Sequence, residues 1–145
     1  QHYWYALLSA DHFDPMLVNT FFNNLLKNYN SSERHYHNDT HIINMLNLSD
    51  EYKAHLQQKD IVDLAIFYHD VIYNPLRKDN EVRSAKRAAK ELKELKVTQE
   101  KIDLVETYIL ATQKHDLQAF SSESDLAYFL DFDLSVLGAD RDTYL

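Results

Sequence analysis

DIVDLAIFYHDVIYNP, residues 60–75, reads as one amphipathic helix. Ile61, Ala65, Tyr68, His69 and Ile72 recur at the spacing that puts side chains on a single helical face. Asp60 can cap its start, and the helix should stop before Asn74-Pro75, because proline restricts the residue that precedes it. His69 and Asp70 then fall in its last turn or two, directly after the apolar run from Leu64 to Tyr68. An imidazole and a carboxylate on a core helix are anomalous, since an isolated buried carboxylate is costly and proteins pair it or give it to a metal. The plainer alternative is a helix end emerging into solvent, with His69 favourable at the negative end of the dipole.

Helical patterning continues on both sides of this stretch. Asp14-Pro15 reads as an N-cap with proline in the first turn, followed by Leu17, Val18, Phe21, Phe22, Leu25 and Leu26 at helical spacing. A polar loop with Asn28, Asn30, Ser31 and Ser32 ends that helix. RHYHNDTHIINML, residues 34–46, then opens a second near Asp39 or Thr40, with His41, Met45, Leu48 and Tyr52 on the inward stripe. After the 60–75 stretch, a helix from about Asp79 to Leu95 turns Val82, Ala85, Ala89 and Leu92 inward and Lys and Glu outward. Thr98 can cap a fifth helix carrying Ile102, Val105, Ile109 and Thr112. Ser122 with Asp125 resembles a capping box before a sixth, which holds Leu126, Phe129, Leu130, Asp133 and Leu137 and stops at Gly138.

The expected class is therefore all-α: one domain over residues 1–145, a compact bundle of about six helices. The 145 residues, 45% of them hydrophobic, suffice for one real core. A single Gly and two Pro exclude hairpin-rich sandwiches, and with them the P-loop, the dinucleotide fingerprint and the nucleophile elbow, each of which needs clustered glycines. The absence of Cys removes disulfides, thiolate zinc sites and cysteine nucleophiles. A net charge of -8 repels polyanions, so no nucleic-acid partner is expected. No long apolar run or secretory pattern occurs, which gives the expectation of a cytoplasmic chain without a membrane partner. The start at Gln1 and the polar approach to a further helix after Asp140 suggest truncation at one or both ends.

A second anomaly matches the first. In DLAYFLDFDLSVLG, residues 125–138, Asp133 stands three after Leu130 and seven after Leu126, on the apolar stripe, with Asp131 beside it. Two imidazoles and two carboxylates from three helices suit Mn²⁺, Fe²⁺, Co²⁺, Ni²⁺ or Zn²⁺, with positions left for water and a substrate oxygen. His2, His12 and His55 have no ligand-like neighbours and read as ordinary histidines.

A histidine on one helix, a His-Asp pair ending the next and a distant aspartate on a later one resemble the H…HD…D pattern of the HD superfamily of metal-dependent phosphohydrolases. The likeness spans roughly Arg34 to Gly138. YHNDTH, residues 36–41, and DLS, residues 133–135, are similar to segments of cyclic-nucleotide phosphodiesterases, although HDVIYNP lacks the further histidine those enzymes carry. Closer is a bacterial group of predicted HD phosphohydrolases, which RHYHN..H, HD..Y.P…DNE..SA and D.DLS.LG resemble over most of the chain.

The resemblance implies an HD-type helical domain in which His41, His69, Asp70 and Asp133 hold the metal and His37 is the proton donor. Asp70 is also a candidate to take the proton of the attacking water. His115 lies where dinuclear members place additional histidine ligands; only one occurs in that interval, so one metal ion is expected, with a second as the alternative. Mg²⁺ joins the candidate metals on the same basis. Arg34, Asp79, Glu81 and His115 are the candidates for contacting substrate, with Arg83 nearby; the plainer reading makes the acids helix-start residues and the arginines solvated. The implied activity is hydrolysis of a phosphoester in a small phosphorylated molecule, a nucleotide or nucleotide-like compound. The alternative is an HD-type module that binds or senses a ligand without turnover.

Overall fold

Eight consecutive buried residues, Ile61 to Tyr68, make helix α3 (Lys59–Tyr68) the centre of the molecule. A helix buried on all sides must be surrounded. In the computed structural model, which describes residues 15–29, 39–72, 76, 78–113 and 125–134, the surrounding elements are all helices and no strand occurs among the described residues. They are α1 (Pro15–Tyr29), α2 (Asp39–Glu51), α4 (Asn80–Glu94), α5 (Gln99–Ala111) and a helix α6 over residues 125–134. A 3₁₀ turn, Lys53–His55, joins α2 to α3. The chain is thus an all-α helical bundle, and no helix among the described residues is long and apolar enough to cross a membrane.

Each outer helix buries one stripe. Val18, Phe21, Phe22, Leu25 and Tyr29 do so from α1, and Ile102, Val105, Tyr108, Ile109 and Ala111 from α5. Full burial of such a side chain contributes about 1.5–3 kcal/mol, so this core does not depend on any single polar site. In α4 the buried stripe begins with the small Ser84, Ala85 and Ala88 and ends with Glu91 and Leu92, and among the described residues α4 and α5 form the most extensive helix pair. The turn between them is tight without glycine. Lys96 takes φ 64°, while Lys96 N–H donates to Lys93 O and Val97 N–H to Leu92 O, both at 3.0 Å, a Schellman-type stop.

Several local expectations change. Tyr52 lies past the end of α2 and is exposed, its ring against those of His55, Tyr128 and Phe132; Ile42, Leu46 and Ser49 share the buried face instead. Gln58, not Asp60, occupies the N-cap of α3, and Asp60 pairs with Lys101 of α5 at 2.7 Å. Asp125 reaches another element: its two carboxylate oxygens accept the backbone N–H groups of Gln57 and Gln58 at 2.9 and 2.7 Å, tying α6 to the start of α3. Ser122, Leu137 and Gly138 lie outside the described residues.

The largest correction is where α3 stops. The expected limit was Asn74-Pro75, but the helix ends at Tyr68. At that end the last carbonyls take partners outside the helical pattern beyond His69. Ala65 O accepts His69 N–H at 2.8 Å, Ile66 O the His69 ring at 2.8 Å, Phe67 O the hydroxyl of Tyr29 at 2.7 Å, and Tyr68 O the N–H of Val71 at 3.2 Å. The N–H of Asp70, which a continuing helix would give to Ile66 O, goes to Tyr29 Oη at 3.2 Å. The His-Asp pair therefore sits in the turn that leaves the helix.

Candidate metal centre

Three helices bring the site together. His41 lies in the first turn of α2, His69 and Asp70 follow α3, and Asp133 is in the last turn of the described part of α6. His41, His69 and Asp133 are buried, while the Asp70 side chain retains 17% exposure and is the most exposed of the four. His41, His69 and Asp70 each offer a ligand atom, all within 4.8 Å of one another, a group that could hold a metal ion. Asp133 stands against both imidazoles, its Oδ1 2.9 Å from His41 Nε2 and 3.5 Å from His69 Nε2.

The protonation pattern follows from what each partner can do. A backbone carbonyl only accepts, so His69 Nδ1 must be the donor to Ile66 O. That bond fixes the ring and turns Nε2 toward the carboxylates. His69 Nε2 is buried and makes no hydrogen bond, although Asp70 Oδ2 is 3.2 Å away. His41 Nε2 donates to Asp133 Oδ1, since a carboxylate also only accepts. Burial works against charge on His69, but the carboxylates of Asp70 and Asp133 outweigh it and hold its imidazole well above the ordinary histidine range. The cluster as built calls for positive charge between nitrogen and oxygen, and either a proton or a metal ion meets that demand. The donor set fits a divalent ion: imidazole nitrogen with carboxylate oxygen, and one ring nitrogen already tied to a carbonyl in the manner of metal-bound histidines.

Packing holds the rings. His69 meets the edge of Phe129 at 5.8 Å, Phe129 stacks on Tyr108 at 5.9 Å, and the His41 and His69 rings lie 5.5 Å apart. Beyond the dyad, the hydroxyl of Ser84 both accepts the N–H of Ile72 at 3.0 Å and donates to its carbonyl at 3.2 Å, anchoring the departing chain to α4. Tyr29 and Ser84 had no place among the sequence candidates. Neither stands at a ligand-like spacing from the dyad, and no local signal marks them.

The remaining candidates divide. Asp79 occupies the N-cap of α4 and Glu81 its first turn, both half-buried, and neither belongs to the converging group; Arg83 is exposed. Asp131 is exposed, as expected beside the buried Asp133. Arg34, His37 and His115 lie outside the described residues. No protein-family model, curated protein or solved structure matches this chain.

Proposed function

We propose that His41, His69, Asp70 and Asp133 hold a divalent metal ion and that the chain is an HD-type phosphohydrolase acting on a small phosphorylated molecule, a nucleotide or nucleotide-like compound. The observation that carries this reading is His69: its Nδ1 is tied to Ile66 O, and its buried Nε2, without a hydrogen bond, faces carboxylate oxygens at 3.2 and 3.5 Å. A bundle with an ample apolar core has no structural need of such a cluster.

A bound divalent ion supplies Lewis acidity, lowering the pKa of water and neutralising charge on a phosphoryl oxygen. The chain's own residues do the rest. His69 is held by Ile66 O and Phe129 with Nε2 toward the carboxylates, and His41 would ligate by giving up the proton it donates to Asp133. Asp70, the most exposed of the four, can accept the proton of an attacking water. His37, four residues before His41, protonates the departing oxygen in this scheme. The net charge of -8 favours a small substrate over a polyanion.

Elemental analysis of protein purified without added metal, followed by assays of metal-loaded protein on a generic phosphomonoester and phosphodiester, tests both halves. About one equivalent of metal and turnover of one ester class are expected. Bound metal with no turnover of any phosphoester would favour a sensing module, and protein that takes up no divalent metal overturns the site.

A further inference from the structure

Resting on the metal-site reading above, we propose that Tyr29 is a positioning residue for Asp70: its hydroxyl fixes the turn from which Asp70 directs its carboxylate toward the two imidazoles. Tyr29 ends α1 and is buried, its hydroxyl donating to Phe67 O at 2.7 Å and accepting the N–H of Asp70 at 3.2 Å. A phenol can do both at once. Those two backbone groups stand on either side of the point where α3 stops, so one side chain from another helix closes the helix and starts the turn.

The His69 ring donates to Ile66 O, the acceptor a longer helix would offer the Asp70 N–H, and the Asp70 N–H goes to the Tyr29 hydroxyl. Without the Tyr29 hydroxyl the part-buried Asp70 N–H loses this partner, and the turn is held less firmly, by ties that include Val71 N–H to Tyr68 O and Ile72 to Ser84. Asp70 Oδ2 lies 3.2 Å from His69 Nε2 and 3.9 Å from His41 Nε2, so the turn that Tyr29 holds carries this carboxylate beside both imidazoles. Tyr29 reaches the ion only through Asp70.

Calorimetric titration of the metal-free wild type, Tyr29→Phe and Thr112→Val with Mn²⁺ and Zn²⁺, beside their thermal unfolding, separates positioning from mere stability. Thr112→Val is the matched control, because it removes a buried hydroxyl that donates to a helix-end carbonyl, Ile109 O at 2.6 Å, outside the cluster. Tyr29→Phe should bind metal about 10- to 100-fold more weakly, whereas Thr112→Val should lower Tm and leave affinity unchanged. Equal affinities for wild type and Tyr29→Phe overturn the positioning role and leave the metal site standing. A wild type that binds neither ion overturns the metal site, and the positioning role with it. A second measurement needs no variant: the Asp70 amide should exchange slowly with deuterium in the metal-free wild type, and fast exchange there overturns the proposal.

Discussion

His69 donates its Nδ1 proton to the carbonyl of Ile66, 2.8 Å away and three residues back along the helix that His69 ends. This one bond holds the ring and engages the carbonyl that a longer helix would offer to Asp70. The polar cluster and the end of α3 are therefore a single feature of the backbone.

Metal should bind near one equivalent per chain, and His69→Ala or Asp70→Ala should lower that stoichiometry. Saturating Mn²⁺, Ni²⁺ or Zn²⁺ should raise Tm, since a hundredfold excess over Kd adds about 2.7 kcal/mol to the native state. Chelation should lower Tm without unfolding the chain at room temperature, because the apolar core is independent of the site. Circular dichroism of the chelated protein checks this, and a random-coil spectrum would mean that the metal is a structural staple.

His37 and His41 should fail differently. His41→Ala removes a ligand, so metal content and hydrolysis fall together. His37→Ala should keep the metal and lose about 10²- to 10⁴-fold in turnover, the usual worth of a general acid. The loss should shrink for a substrate whose leaving oxygen departs easily as an anion. Metal analysis and kcat on two esters of different leaving-group pKa decide it, and reversal of the two phenotypes would exchange the roles.

Asp63 gives a dependence on pH that is separate from the metal site. It is buried in α3, with Ser49 Oγ donating at 2.6 Å and Lys59 Nζ at 2.7 Å. Burial raises its pKa above the ordinary carboxylate value despite both donors. A raised acid binds its proton more tightly in the folded state, so its stabilising contribution is complete below the unfolded pKa and declines as pH rises through the folded one. The Tm advantage of wild type over Asp63→Asn should therefore shrink as pH increases from about 4, the ordinary aspartate value. An advantage that grows over that range contradicts the raised pKa.

Lys96→Gly should stabilise the chain. Lys96 is exposed and holds φ 64°, a conformation that costs a residue with a Cβ about 1 kcal/mol or more and glycine little. A gain of about 1 kcal/mol in chemical denaturation, with metal binding unchanged, is the expected result. A loss would mean that the lysine side chain makes a contact worth more than the backbone strain.

By itself the sequence determined the all-α class, the approximate start of each helix and the buried positions of His41, His69 and Asp133. These were legible because periodicity is local and because a carboxylate on an apolar stripe, such as Asp133, contradicts its neighbours. Where α3 ends was decided only by the tertiary structure. Pro75 is a strong local stop, but the helix ends earlier, where the hydroxyl of Tyr29, 41 residues before Asp70, bonds Phe67 O and the Asp70 N–H, and that hydroxyl has no signature until α1 packs on α3. The same holds for Asp125, whose carboxylate serves amides 67 and 68 residues away, and for the buried Glu91 of α4, which accepts from Tyr68 at 2.9 Å and pairs with Arg87. The physical reason is common to all three. A helix satisfies its interior backbone from its own sequence, but its ends and its buried charges take partners from whichever element packing brings near.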